Sequence, residues 1–191
     1  GAVLAAAVLS SLMVFILYLF GTREGALDLN PVGRYVLGYL YLPVMLSHFI
    51  LLREGDKGVL WIFFVIVLAF SGDIAAFYVG RTFGRRKLMP LVSPGKTVEG
   101  LLGLAAGSVA GCLIYRYFLL PEVPAGHIAL IGLAGGIVGQ LGDLFESLIK
   151  RASGAKDSGE ILPGHGGILD RLDCLLFIVP VVYYYRTYVL S

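Results

Sequence analysis

The sequence predicts an all-α polytopic membrane protein with about six transmembrane helices, and three observations lead there. Of its 191 residues 58% are hydrophobic and only 15% charged, with a mean hydropathy of +0.85. Soluble domains are typically nearer half apolar and about a quarter charged. Several apolar runs approach the ~20 residues that carry a helix across a bilayer core. These runs lack the apolar–polar alternation of a closed barrel, the other structure that satisfies its backbone within lipid. Net charge is +2, too small to name a partner, and no nucleic-acid partner is expected.

The chain opens at Gly1 in an apolar run with no initiator Met and no basic stretch before it. The expectation is a chain lacking its native N-terminal helices, not one carrying a signal peptide. Residues 2–20 are free of charge and form the first span. Residues 21–31 hold Arg23, Glu24, Asp28 and Asn30 and read as a loop. The second span, about 32–52, contains Pro43, which removes a helix hydrogen bond and is expected to kink it. His48 in the same span reads as a helix-interface histidine.

A short charged loop, 53–57, leads to the third span at 58–80. Asp73 lies in its second half; an ionisable group inside a span is costly and is by default a functional candidate. Pairing with Arg81 is the alternative. Residues 81–97 carry Arg81, Arg85, Arg86, Lys87 and Lys96 and no acid, which places this loop on the cytoplasmic side. Within it Ser93-Pro94-Gly95-Lys96-Thr97 stands out. Ser93 or Thr97 can cap the next helix, and Lys96 can join helix amides in holding an anion.

The fourth span, about 98–119, repeats glycine at 100, 103, 107 and 111, a close-packing face between helices. The fifth, about 128–151, has a similar stripe at 132, 135, 136 and 139. Its later turns place Asp143, Glu146, Ser147 and Lys150 on one face. The sixth span, 167–190, begins with Asp170 and Asp173 three residues apart. Alternation returns the 150–166 loop to the same side as the basic loop. Cys112 and Cys174 fall in apolar spans and read as small buried hydrophobes. No linker divides the chain, so 1–191 is expected to be one transmembrane catalytic domain, with N-terminal spans at 1–57 and a core at 58–191.

The chemistry concentrates between Ser147 and Asp173. Four acids, Asp143, Glu146, Asp170 and Asp173, end one helix and begin the next. Hard oxygen ligands without cysteine favour Mg²⁺ over zinc or copper. Lys150, Arg151, Lys156 and Arg171 would meet phosphate charge, arginine doing so bidentately. Gly164, Gly166 and Gly167 around His165 let backbone N–H groups approach an anion. These parts point to phosphoryl or nucleotidyl transfer, where positioning and charge neutralisation supply most of the catalysis. Simple interfacial anchoring explains any one of these residues, but it does not call for four acids on two neighbouring helices.

The run Ser147-x-x-Lys150-Arg151-x4-Lys156-Asp157-x-Gly159-x-x-Leu162-Pro163-x-His165-Gly166-Gly167-x-x-Asp170-Arg171-x-Asp173 resembles the signature of CDP-diacylglycerol synthases, the phosphatidate cytidylyltransferases. Ser71-Gly72-Asp73, Ser93-Pro94-x-Lys96-Thr97-x-Glu99-Gly100 and Gly142-Asp143-Leu144-x-Glu146-Ser147 resemble further stretches of that family. The likeness covers roughly 70–180. It implies that CTP and phosphatidic acid react to give CDP-diacylglycerol and pyrophosphate, with Mg²⁺, and it implies a homodimer. A second, monovalent cation stays open. On this reading Asp143 and Asp170 are metal ligands, with Glu146 and Asp173 assisting. Lys150, Arg151, Lys156 and Arg171 hold the phosphates; Ser93, Lys96, Thr97, Asp73, His165, Gly166 and Gly167 contact substrate. The membrane is expected to be a bacterial inner membrane, with the site facing the cytoplasm. Two competing readings are a CTP-dependent polyprenol or phytol kinase, which would release CDP, and an ion-coupled transporter using Asp73, Asp143 and Asp170.

Overall fold

The computed structural model describes residues 9–13, 15–17, 30–155, 158–159 and 167–190. It divides into two compact units, Gly1–Leu51 and Leu52–Ser191. Among the described residues five helices are long and apolar enough to cross a membrane. They are α1 (Asn30–Glu54), α2 (Gly58–Phe83), α3 (Val98–Leu119), α4 (Ala125–Ala152) and α5 (Leu169–Val189). The first expected span, 2–20, and the loop after it lie largely outside the described residues. The chain is thus a helical multi-pass membrane protein.

In the first unit, α1 departs from regular α-helix at Pro43. The helix widens to a π-type turn over Leu40–Val44, which takes up the amide that proline lacks. His48 is buried and its Nδ1 lies 2.8 Å from the Val44 carbonyl, a local contact within the helix.

The second unit holds α2 to α5. Helix α2 lies along α3, α3 against α4, and α4 against α5; α5 closes back onto α2. The glycines expected to serve packing do so. A methyl group on Gly103 would stand 2.7 Å from Cβ of Val79, and one on Gly139 would stand 2.7 Å from Cδ1 of Ile178. Neither helix pair could approach as closely with a larger residue. Phe64, Val65, Leu68, Leu104, Cys112, Ile128, Ile131, Leu176, Ile178 and Val179 fill the centre. Outward residues such as Phe70, Phe77, Leu102, Ile114 and Leu141 are large, apolar and exposed, as lipid-facing positions should be. Cys112 is buried and Cys174 half-buried, and both are free thiols.

One departure from the expected loop at 81–97 positions the site. Helix α2 runs on to Phe83, and the chain then forms an antiparallel ribbon of β1 (Lys87–Met89) and β2 (Ser93–Thr97). The Glu99 carboxylate accepts the backbone N–H of Arg85 at 3.0 Å and of Arg86 at 3.2 Å. Thr97, the last ribbon residue, caps α3 by accepting the Gly100 N–H at 3.1 Å. Of the two capping candidates, Thr97 is the one that acts.

Candidate functional site

Because α2 to α5 run alternately up and down, the ribbon, the last turns of α4 and the first turn of α5 share one end of the second unit. Two ion-pair groups form there. In the first, Lys96 on β2 reaches across to Asp143 on α4 and forms a salt bridge. Asp73 on α2 and Asp173 on α5 lie within electrostatic reach of both. Asp173 is buried, and its Oδ1 accepts the N–H of neighbouring Cys174 at 2.7 Å. Asp73 keeps an exposed side and also lines a cavity of about 10 Å³ with Ser108, Gln140 and Cys174. Three carboxylates against one ammonium leave this group negative.

In the second group Lys150 sits between two acids. Its Nζ lies 2.5 Å from Oε2 of Glu146, one turn back on α4, and 2.6 Å from Oδ1 of Asp170 on α5. Glu146 is almost wholly buried, with 1% of its side chain exposed, and its Oε1 meets no hydrogen-bond donor among the described residues. A carboxylate so placed demands a cation, and Lys150 supplies it. The second oxygen of Asp170 gathers three donors: the Ser158 N–H at 3.0 Å, the Ser158 hydroxyl at 2.8 Å and the Gly167 N–H at 2.9 Å. Asp170 therefore ties the described ends of the 156–167 segment to the start of α5, where a helix N-terminus also favours negative charge.

The remaining expected residues distribute as follows. Arg151 is exposed, and its Nε points at the Val92 carbonyl at 3.5 Å, linking the end of α4 to the ribbon turn. Arg171 is exposed on the first turn of α5. Ser93 is half-buried on β2, Thr97 is buried at the α3 cap, and Gly167 is buried beside Ser158. Lys156, His165 and Gly166 lie outside the described residues. Ser158 was not among the sequence candidates; the only available signal was a hydroxyl shortly before an acid at a helix start.

The four acids proposed for a metal do not form one cage. Among the described residues no three His, Cys, Asp or Glu side chains stand where they could hold an ion together. Their chemistry nonetheless fits Mg²⁺, which takes one or two carboxylates and completes its shell with water and substrate phosphates. The surplus negative charge around Asp143 and Asp173 is the feature of this chain that favours such an ion.

Comparison with known proteins shows the family. A family model described as the cytidylyltransferase family matches residues 2–189. The phosphatidate cytidylyltransferase of Bacillus subtilis is 42% identical over 156 residues, which is 81% of this chain and 58% of that protein. An uncharacterised Escherichia coli protein, YnbB, is 47% identical over 165 residues, 84% of this chain and 55% of its own. The phosphatidate cytidylyltransferase of Haemophilus influenzae is 39% identical over 160 residues, 82% and 54% respectively. The chain thus spans little more than half the length of these relatives. With nearly its whole length matched, and its acids and lysines gathered at one end of the helices, the chain belongs to the cytidylyltransferase family.

Proposed function

We propose that the chain transfers CMP from CTP to phosphatidate, giving CDP-diacylglycerol and pyrophosphate at the cytoplasmic face of a bacterial inner membrane. One observation carries this reading: Lys96–Asp143 and Glu146–Lys150–Asp170 occupy the same end of a chain that belongs to the cytidylyltransferase family. A phosphate oxygen of phosphatidate attacks the α-phosphorus of CTP; that bond forms as the bond to the β-phosphate bridge breaks, and pyrophosphate leaves. The attacking oxygen is already anionic near neutral pH, so no side chain has to remove a proton. The chain must instead bring two anions together and hold them in line.

Lys96 and Lys150 are suited to that work, being ammonium groups held ready by carboxylates on the site wall. Arg151 and Arg171, both exposed at the same end, and Lys156 add charge for the phosphates. Ser93, Thr97 and Gly167 border the space as positioning groups, Asp73 closes it on the α2 side, and His165 and Gly166 would add substrate contacts. Mg²⁺ would be held at Asp143, where Asp173 adds negative charge, and Asp170 and Glu146 would serve as ligand or support from the neighbouring group once substrate phosphates draw Lys150 away. Bound there, it would neutralise phosphate charge and ease departure of pyrophosphate. Phosphatidate would reach the site laterally between helices and CTP from the aqueous side. A homodimer belongs to the same proposal and is tested by the mass of the detergent-solubilised protein.

The experiment supplies purified protein with phosphatidate, Mg²⁺ and CTP labelled at the α-phosphorus, omitting each component in turn. Label in the lipid extract with release of pyrophosphate is expected. With a prenol in place of phosphatidate, an unlabelled prenyl phosphate and release of labelled CDP would replace this reading by the kinase. Ion or substrate flux into liposomes without CTP would favour transport.

A further inference from the structure

The segment joining α2 to α3 has two faces of opposite character. Because it links consecutive spans, it lies at one membrane surface. Residues 81–97 contain five basic residues and no acid. Lys96 turns inward to Asp143. Arg81, Arg85, Arg86 and Lys87 are all exposed, and none of their side chains forms a salt bridge with a described residue. The acid nearest in sequence, Glu99, binds the backbone N–H groups of Arg85 and Arg86. It therefore fixes the backbone that carries the two exposed guanidinium groups, with the Arg86 charge still within electrostatic reach of the carboxylate.

Apolar residues are exposed in the same segment. Strand β1 alternates exposed, half-buried, exposed, which puts Lys87 and Met89 on one face. Leu91, in the turn, is 95% exposed, and Phe83, at the end of α2, is 65% exposed. The other side is anchored: Val92 and Thr97 are buried, and the Val92 carbonyl faces Arg151. A ribbon held by Val92 and Thr97, with an exposed leucine tip and exposed cations that form no salt bridge with a described residue, matches an anionic interface. Acyl chains would take the leucine and headgroup phosphates the cations.

We propose that residues 81–97 form an interfacial binding element for anionic phospholipids. Arg81, Arg85, Arg86 and Lys87 hold headgroup phosphates while Met89 and Leu91 lie at the boundary between headgroups and acyl chains. The inference depends on the membrane-spanning fold and not on the reaction proposed above, so either can fail without the other.

The test is a Leu91→Trp variant of the full chain in vesicles containing brominated phosphatidylcholine or, at equal mole fraction, brominated phosphatidylglycerol. The emission of the unsubstituted protein is subtracted to remove Trp61. Quenching by both lipids is expected, stronger for the anionic one by at least about twofold, since each basic residue near the surface favours anionic headgroups by about fivefold. The preference should fall to parity in an Arg85→Gln, Arg86→Gln, Lys87→Gln background. It should also fall in ~1 M salt, where the screening length shrinks to about 3 Å. Absence of quenching would place the tip in water and overturn the proposal; equal quenching by both lipids would overturn its headgroup part. A nitroxide on Leu91→Cys supplies a second measurement if the tryptophan disturbs the ribbon. Preferential relaxation by oxygen supports insertion, and preferential relaxation by a water-soluble agent refutes it.

Discussion

Replacing Lys150 by methionine removes the cation that two carboxylates share while keeping most of the side chain's length and apolar bulk. At 2.5 and 2.6 Å from Glu146 and Asp170, each pair has a gross attraction of about 6 kcal/mol at an effective dielectric of ~20. Desolvation opposes most of that, and breaking a buried pair typically costs about 3–5 kcal/mol because a charge is left without a partner. Lys150 keeps 18% of its side chain exposed, so the low end, about 3 kcal/mol, is expected. The cost should fall chiefly on Glu146, since Asp170 retains Ser158 and Gly167 as donors. For a chain of this size the loss corresponds to a fall in Tm of roughly 6–12 °C. The assay is thermal unfolding in detergent, read by a thiol-reactive fluorophore that reports exposure of Cys112 and Cys174. Adding Glu146→Gln should restore more than half of the lost Tm, because the orphaned charge is then gone. A Tm within about 3 °C of the parent for Lys150→Met, or no recovery in the double variant, would refute the argument that Lys150 neutralises a buried acid.

Thr97→Ala should lower stability by about 1 kcal/mol through loss of the α3 cap, while Thr97→Ser, which keeps the hydroxyl, should cost less in the same thermal assay. Gly103→Val should destabilise by at least about 1–3 kcal/mol, because even a Cβ there would lie 2.7 Å from Val79; yield and Tm after detergent extraction report it. By contrast, Lys57 and Glu122 pair at 2.6 Å with about half of each side chain exposed. Bonding to Lys57 holds the Glu122 carboxyl below its usual range, so any stabilisation is present at neutral pH and fades as acid protonates it. Exposed pairs are worth about 0–1 kcal/mol, so Glu122→Gln should leave Tm nearly unchanged, and a large fall would contradict that accounting.

Much of the fold was legible because a bilayer imposes long charge-poor runs. The fourth span matches Val98–Leu119, and the glycine spacing marked helix faces that do meet. The ribbon was not legible. Its second strand contains Pro94 and Gly95, a composition that reads as a turn, and its pairing is irregular between Lys87 and Met89. In the site, spacing alone gave the Glu146–Lys150 contact, since residues four apart on a helix are neighbours. The same spacing grouped Asp143 with Lys150, whereas Asp143 pairs with Lys96. That partner comes from a distant element and depends on how the ribbon folds over α4. The link from Asp170 back to Ser158 was hidden for a similar reason: it depends on a loop closing on itself, which no periodicity records.

The central claim is that Lys96 and Asp143 work together in nucleotidyl transfer. The measurement that tests it most directly is the transfer of α-phosphorus label from CTP into phosphatidate by the parent protein, Lys96→Met and Asp143→Asn, each first shown to be folded by its Tm. The account expects label in the parent's lipid and loss of at least about a hundredfold in each variant, the scale of removing one charge-stabilising group from a transfer site. Near-parental transfer by either folded variant would contradict it.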